Sequence, residues 1–107
     1  MKIIKIAIIG SGYMANEYAK VLKKIKNCKI SGIYSRKYIK AKLFAKKHNV
    51  KIIGRSIEDL YMQTRADAVI VAVSPDSLRS ITEEIFKFSW LSLIEKPLGI
   101  NENKNIL

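Results

Sequence analysis

The stretch IIGSGYMANEYAK, residues 8–20, decides the fold of this chain. It begins in a nearly continuous run of apolar residues, 3–9, which is typical of a strand buried on both faces. The pattern Gly10-x-Gly12-x-x-Ala15 follows directly, and helical periodicity starts at Met14. This spacing is weak alone, but between a strand and a helix it is characteristic of a dinucleotide-binding turn.

Small residues have separate purposes in such a turn. Gly10 permits a tight reversal, Gly12 lets the backbone approach a pyrophosphate, and Ala15 keeps the helix close to the strand. The free N–H groups and the positive dipole end of the helix then favour an anion. We therefore predict that a diphosphate binds residues Gly10, Ser11, Gly12, Tyr13, Met14 and Ala15. The alternative is a glycine turn that joins strand and helix without a ligand.

The rest of the chain alternates short apolar runs with helical stripes. Further strands are predicted over residues 29–34, 50–53, 67–73 and 91–95. The first helix is predicted to turn Met14, Tyr18, Val21, Leu22 and Ile25 inward, and the second Ile39, Leu43 and Phe44. Ser56 is predicted to cap a third helix with Asp59 three residues on. A fourth helix after Ser74 carries Leu78, Ile81, Ile85 and Phe88 on one face.

Strands and helices that alternate through short connections form right-handed βαβ units and a parallel sheet. The sequence therefore predicts an α/β fold, a Rossmann-type doubly wound sheet of about five strands in the order 3-2-1-4-5. We expect one NAD(P)-binding domain over residues 1–107, truncated at its C-terminal end, with the sixth strand and a second domain absent.

The end of the second strand predicts which dinucleotide binds. An NAD site usually has an acid about twenty residues after the glycines, where it meets the ribose hydroxyls. Here that region reads Ser35-Arg36-Lys37, with no acid. A 2′-phosphate requires donors and positive charge, so these residues favour NADP, with NAD as the alternative. An incidental basic loop in a basic protein is the competing interpretation.

Four segments together resemble the Gfo/Idh/MocA oxidoreductases, the glucose–fructose oxidoreductase and inositol dehydrogenase family. They are GSGYMA at residues 10–15, YSR at 34–36, DAVIVAVSP at 67–75 and IEKPLG at 94–99. The resemblance implies the cofactor domain of an NADP(H)-dependent oxidoreductase that acts on a sugar or sugar derivative by hydride transfer. It implies a catalytic or substrate-binding role for Lys96, a bend at Pro97, and cofactor contacts from Ser74, Pro75, Glu95 and Lys96.

The chain departs from the family pattern after the fourth predicted strand. The family commonly has Thr-Pro there and a His a few residues on, whereas this chain has Ser74-Pro75 with Arg79 near the His position. The single histidine, His48, ends the second predicted helix, and we predict that it is solvated and is not a catalytic base. No cluster of metal ligands is expected.

Two classes of function remain open. The first is the cofactor domain, inactive alone because the second domain of the family would supply the substrate wall for the small sugar-like substrate. The second is a non-catalytic dinucleotide-binding or interaction module. In either case the apolar edge of the last strand predicts self-association.

Bulk properties narrow the partners and the location. The formal net charge is +11, but the lysines are spread along the chain, which favours solvated helix faces over nucleic-acid binding. No apolar run approaches the roughly 18–20 residues that a membrane span needs. One cysteine, Cys28, cannot form an intramolecular disulfide, which is consistent with the cytoplasm.

Overall fold

A computed structural model describes residues 2–94 of the chain, which contain four strands and four helices. The strands are β1 (Ile4–Ile9), β2 (Cys28–Tyr34), β3 (Ala68–Val71) and β4 (Leu91–Ile94). The helices are α1 (Tyr13–Leu22), α2 (Tyr38–His48), α3 (Ile57–Thr64) and α4 (Pro75–Ile85).

The four strands form one parallel sheet in the order β2-β1-β3-β4. Ile9 at the end of β1 stands opposite Tyr34 on one side and Val71 on the other. The carboxyl ends of β2, β1 and β3 are therefore level with one another. This arrangement confirms the predicted Rossmann-type α/β fold.

The predicted strand at residues 50–53 forms an isolated bridge rather than a full strand. Ile53 pairs in parallel with Ile33, and Ile33 N donates to Ile52 O over 3.0 Å. Gly54 N donates back to Ile33 O over 2.8 Å, after which the chain turns toward α3. The bridge lies beside β2, which is the place that the predicted strand order gives to this segment.

Alternate residues of β1 lead into two hydrophobic cores, because successive side chains of a strand point to opposite faces. Ile6 and Ile8 pack with residues of α1 and α2. Ala7 and Ile9 pack with residues of α3 and α4, together with Trp90. Both faces of the sheet are covered, which explains why the strands read as apolar runs.

The inward faces of α1 and α2 differ from the prediction. The buried residues are small ones, Ala15 and Ala19 with Leu22 in α1, and Ala41 and Ala45 with Phe44 and His48 in α2. Met14, Val21 and Ile25, which were predicted to face inward, are exposed, and so are Ile39 and Leu43. Leu22 and Phe44 are buried as predicted, and Tyr18 packs partly buried against the same core. The prediction was wrong for the other five residues because it followed residue size, whereas alanine allows the helices to lie closer to the sheet.

The other helices agree with the sequence pattern. Ser56 Oγ accepts a hydrogen bond from Asp59 N over 3.0 Å, which confirms the predicted N-cap of α3. In α4, Ile81 and Ile85 are buried and Leu78 packs partly buried against the same core, as does Phe88, which follows the end of the helix.

Candidate functional site

Three loops meet at the carboxyl ends of β1, β2 and β3 and enclose a cavity of about 250 Å³. This turn cavity lies where ligands bind in open parallel sheets, beside the position at which the strand order reverses. Its lining consists of Ile9, Gly10, Ser11, Gly12, Tyr34, Ser35, Arg36, Lys37, Lys40, Ala72, Val73, Ser74, Ser77 and Ile81.

Gly10 brings the first loop against the end of β3. Its φ angle is +119°, in the region that favours glycine. A Cβ atom at this position would lie 2.1 Å from Ala72 O, a backbone atom that cannot move aside. Gly10 N donates to Tyr34 O over 2.8 Å, so the residue also joins the loop to β2. Only glycine fits both the conformation and the contact.

Gly12 has the opposite surroundings. It is the N-cap of α1 with extended backbone, and apart from Gly12 and its two chain neighbours no described residue has an atom within 4 Å of a Cβ built there. No side chain caps the helix, so its first N–H groups are not occupied by a side-chain acceptor. The free space and the free donors fit a diphosphate on the backbone, as expected for this kind of turn.

Not every predicted residue of the glycine turn lines the cavity. Ala15 is fully buried behind it and lets α1 pack against the sheet. Tyr13 is 75% exposed, Met14 is 40% exposed, and neither lines the cavity. Their side chains therefore do not form part of the cavity wall.

The loop after β2 contributes the charge of the site. Arg36, Lys37 and Lys40 line the cavity, and no carboxylate is among its lining residues. Ser35 Oγ lies 2.9 Å from Ser11 Oγ and joins this loop to the glycine turn. Lys40 was missed from the sequence, although its position three residues after Lys37, one helical turn on, was the available signal.

The loop after β3 closes the cavity with small polar residues. Ser74 lines it, whereas Pro75 begins α4 and does not, and the predicted cofactor contacts of both residues stay a prediction. Ser77, which the sequence reasoning missed, lines the cavity and is buried. Arg79 lies outside the lining, and its exposed side chain pairs with Glu83 at 3.7 Å. The predicted contacts at Glu95, Lys96 and Pro97 lie outside the described residues.

His48 is buried, and the prediction of a solvated residue was wrong. Its side chain is 5% exposed and packs beside Phe44, with ring centroids 4.5 Å apart. His48 Nε2 lies 2.6 Å from Asn16 Oδ1 on α1. Burial lowers the pKa of the imidazole below its ordinary value, and neighbouring lysines lower it further. Helix periodicity alone could not reveal this pair, because its members are 32 residues apart.

Two other kinds of feature are absent from residues 2–94. None of the helices there has the length and apolar character to cross a bilayer. That part of the chain also contains no group of three or more His, Cys, Asp or Glu side chains that could hold a metal ion.

Known proteins resemble this chain in both sequence and structure. It is 36% identical over 83 residues to the L-aspartate dehydrogenase of Methanocaldococcus jannaschii, covering 76% of this chain and 30% of that protein. A candidate NADPH-dependent oxidoreductase of Desulfitobacterium hafniense superposes with a TM-score of 0.82 at 25% identity, covering 92% of this chain and 28% of that one. The scyllo-inositol dehydrogenase of Lactobacillus casei, solved with NAD(H) and scyllo-inositol, superposes with a TM-score of 0.78 at 22% identity. The match with it covers 97% of this chain and 32% of that one.

The chain thus spans less than a third of the length of these relatives. Residues 4–106 match a family described as an oxidoreductase family with an NAD-binding Rossmann fold. The match agrees with the glycine turn, the parallel sheet and the cavity at its carboxyl end. The chain belongs to the Gfo/Idh/MocA oxidoreductase family, as its NAD-binding Rossmann domain.

Proposed function

We propose that this domain binds NADP(H) in preference to NAD(H) and serves an oxidoreductase that acts on a sugar or sugar derivative. The observation that carries the cofactor preference is the lining of the turn cavity after β2. Three cations, Arg36, Lys37 and Lys40, meet there with the hydroxyl of Ser35, and no carboxylate joins them.

The chemistry of the two cofactors explains the preference. An NAD site places a carboxylate at the end of the second strand to accept hydrogen bonds from the ribose hydroxyls. A carboxylate would repel the 2′-phosphate of NADP, whereas guanidinium and ammonium groups attract it. In this chain Arg36 would hold the 2′-phosphate, and Lys37 and Lys40 would add positive charge beside it. The hydroxyl of Ser35 would donate to a phosphate oxygen.

The diphosphate would lie on the backbone at Gly12, where a side chain is absent and the N-terminus of α1 is uncapped. When bound, the nicotinamide supplies hydride transfer. Lys96 is our proposed catalytic or substrate-binding residue, because the sequence IEKPLG at residues 94–99 matches the family motif. Glu95 would orient Lys96 or contact the cofactor.

The sugar-like substrate is proposed from the family. The scyllo-inositol dehydrogenase of Lactobacillus casei shares the fold and was solved with a polyol. The name of the L-aspartate dehydrogenase relative supports an amino acid as the competing substrate class. The lining of the turn cavity does not distinguish the two substrate classes, because we assign its positive charge to cofactor binding. Full-length protein assayed with NADP+ against polyols, sugars and amino acids tests the choice, and activity confined to L-aspartate would contradict it.

Calorimetric titration of the chain with NADPH and NADH tests the cofactor preference. One charge-assisted contact to a phosphate is worth about 1.5–3 kcal/mol, so NADPH should bind roughly ten- to a hundredfold more tightly. Arg36→Asp should erase or reverse that difference. Equal affinities for the two cofactors, or tighter binding of NADH to the unaltered chain, would contradict the proposal.

Arg79→Asp is the matched control for the change of charge. It introduces the same substitution at an exposed side chain outside the cavity. If general electrostatic attraction to a basic protein caused the preference, both substitutions would weaken NADPH binding equally. A specific 2′-phosphate contact predicts that only Arg36→Asp changes the ratio of the two affinities.

A further inference from the structure

A chain of hydrogen bonds links the buried imidazole of His48 to the glycine turn. His48 Nε2 lies 2.6 Å from Asn16 Oδ1. Asn16 Nδ2 donates to Gly12 O over 2.8 Å and to Ser11 O over a longer 3.3 Å. The side chain of Asn16 therefore stands between α2 and the loop that would receive the diphosphate.

The partners determine which atoms donate. The two backbone carbonyls can only accept, so they require the amide nitrogen of Asn16 on their side. Its oxygen consequently faces His48 and needs a donor. His48 must then carry its hydrogen on Nε2, which leaves Nδ1 bare. Nδ1 is buried and has no hydrogen-bond partner among the described residues.

The same bonds fix the direction of two backbone N–H groups. In a trans peptide the C=O and the following N–H point in opposite directions. When Asn16 holds the carbonyls of Ser11 and Gly12 toward itself, the N–H groups of Gly12 and Tyr13 point away from it. These are donors at the start of α1, where a diphosphate would lie.

We propose that His48 is a positioning residue that acts through Asn16 to hold the Ser11–Gly12 backbone in the conformation that receives the diphosphate. The inference rests on the proposed function, since it requires a dinucleotide at this turn. His48 itself does not line the turn cavity. His48 therefore determines how well the loop is ordered and does not contact the ligand directly.

The charged surroundings favour the neutral imidazole. Lys20 on α1, Lys23 at its C-cap and Lys47 on α2 disfavour a positive charge on His48. On the opposite side His48 lines a second cavity with three more lysines, Lys5, Lys29 and Lys51. No carboxylate lines that cavity. The neutral Nε2–H form is thus the one that donates to Asn16 at neutral pH.

Replacement of His48 by two amides tests the positioning role. The amide nitrogen of Gln falls near the place of imidazole Nε2, whereas that of Asn falls near Nδ1. We expect His48→Gln to bind NADPH within about twofold of the unaltered chain. His48→Asn, His48→Leu and Asn16→Ala should each weaken binding about three- to tenfold, because the hydrogen-bond chain is interrupted.

Phe44→Leu is the control for packing alone. Phe44 contacts the His48 ring but makes no hydrogen bond in the chain. This variant should lose stability and keep its affinity for NADPH. If Phe44→Leu weakens NADPH binding as much as His48→Leu, or if His48→Gln binds no better than His48→Asn, the positioning role is refuted.

A measurement without cofactor keeps the inference testable if a variant fails to fold. The ¹⁵N spectrum of the His48 ring at pH 7.5 should show the neutral tautomer with hydrogen on Nε2. The Nδ1–H tautomer or a charged ring would overturn the proposed chain. If the unaltered chain does not bind NADPH at all, the proposed function fails. If it binds and the His48 and Asn16 variants bind equally well, only the present inference fails.

Discussion

Gly12→Val should abolish dinucleotide binding while the fold survives. Apart from Gly12 and its two chain neighbours, no described residue has an atom within 4 Å of a Cβ at Gly12, so the new side chain meets free space. The cost to folding is that of a poorer N-cap, about 1 kcal/mol or less. The cost to binding is larger, because the side chain occupies the place of the diphosphate. The loss of two backbone contacts to a charged group, at about 1.5–3 kcal/mol each, corresponds to more than about a hundredfold in affinity.

Gly10→Ala is the contrasting substitution two residues earlier. Its Cβ would lie 2.1 Å from Ala72 O, and its φ of +119° is unfavourable for alanine. Backbone strain of about 1–3 kcal/mol and overpacking of a similar size add to roughly 2–6 kcal/mol. That sum is comparable with the whole stability of a small domain, about 5–15 kcal/mol. This variant should therefore lose a large part of its stability.

Urea unfolding followed by circular dichroism measures the stability of both variants, and calorimetry with NADPH measures the binding. We expect near-native stability without binding for Gly12→Val, and a large loss of stability for Gly10→Ala. Native stability together with unchanged NADPH affinity in Gly12→Val would refute the placement of the diphosphate at this turn.

Three further predictions concern pH, association and activity. The pKa of His48 is lowered from about 6.5 by burial and by lysines, so the unfolded chain takes up its proton first as the pH falls. The contribution of neutral His48 to the free energy of unfolding is fully present above about pH 6.5 and is lost as the pH drops through the lowered pKa. Urea unfolding at several pH values should show this loss in the unaltered chain and less of it in His48→Gln. Leu91 and Leu93 on β4 are 74% and 55% exposed, so light scattering should show concentration-dependent association that Leu93→Lys reduces, and a monomer at every concentration would contradict this. The 107-residue chain alone should not oxidise or reduce a panel of sugars, because it spans less than a third of the length of its relatives, and measurable turnover of NADPH would contradict this expectation.

The sequence predicted the order of the elements because the strands are short and largely apolar and alternate with helical stripes. The turn after β1 was equally predictable, since its glycines fulfil local backbone requirements that the sequence displays directly. The loops after β2 and β3 converge on this turn, as the parallel topology requires. Ser35, Arg36, Lys37 and Ser74 line the same cavity as Gly10 and Gly12, and their contacts with the cofactor stay a prediction.

Helix faces were predicted less well because size is a poor guide where a helix lies close to a sheet. Ala41 and Ala45 are buried, while Ile39 and Leu43 on the same helix are 71% and 65% exposed. Leu43 and Ile39 instead border a surface groove with Val50 and Ile53. The helix pattern contained both an alanine face and a bulky apolar face, and only the tertiary structure selects between them.

The surroundings of His48 could not be predicted from the sequence either. A single polar residue at the end of a helix is usually solvated, and nothing nearby in the sequence indicates a partner. The contact with Asn16 depends on how α1 and α2 pack side by side on one face of the sheet. Such long-range pairs of polar residues leave no periodic signal.

Mapping of NADPH onto the backbone amides by NMR tests the central claim most directly. The account predicts that NADPH shifts the signals of the glycine turn, the loop after β2 and Ser74, which together line the turn cavity. NADH should leave the signals of Ser35, Arg36 and Lys37 less changed, because it lacks the 2′-phosphate. If NADPH instead shifts residues of the second cavity at the opposite end of the sheet, such as Lys29 and Lys51, or shifts none, the account is contradicted.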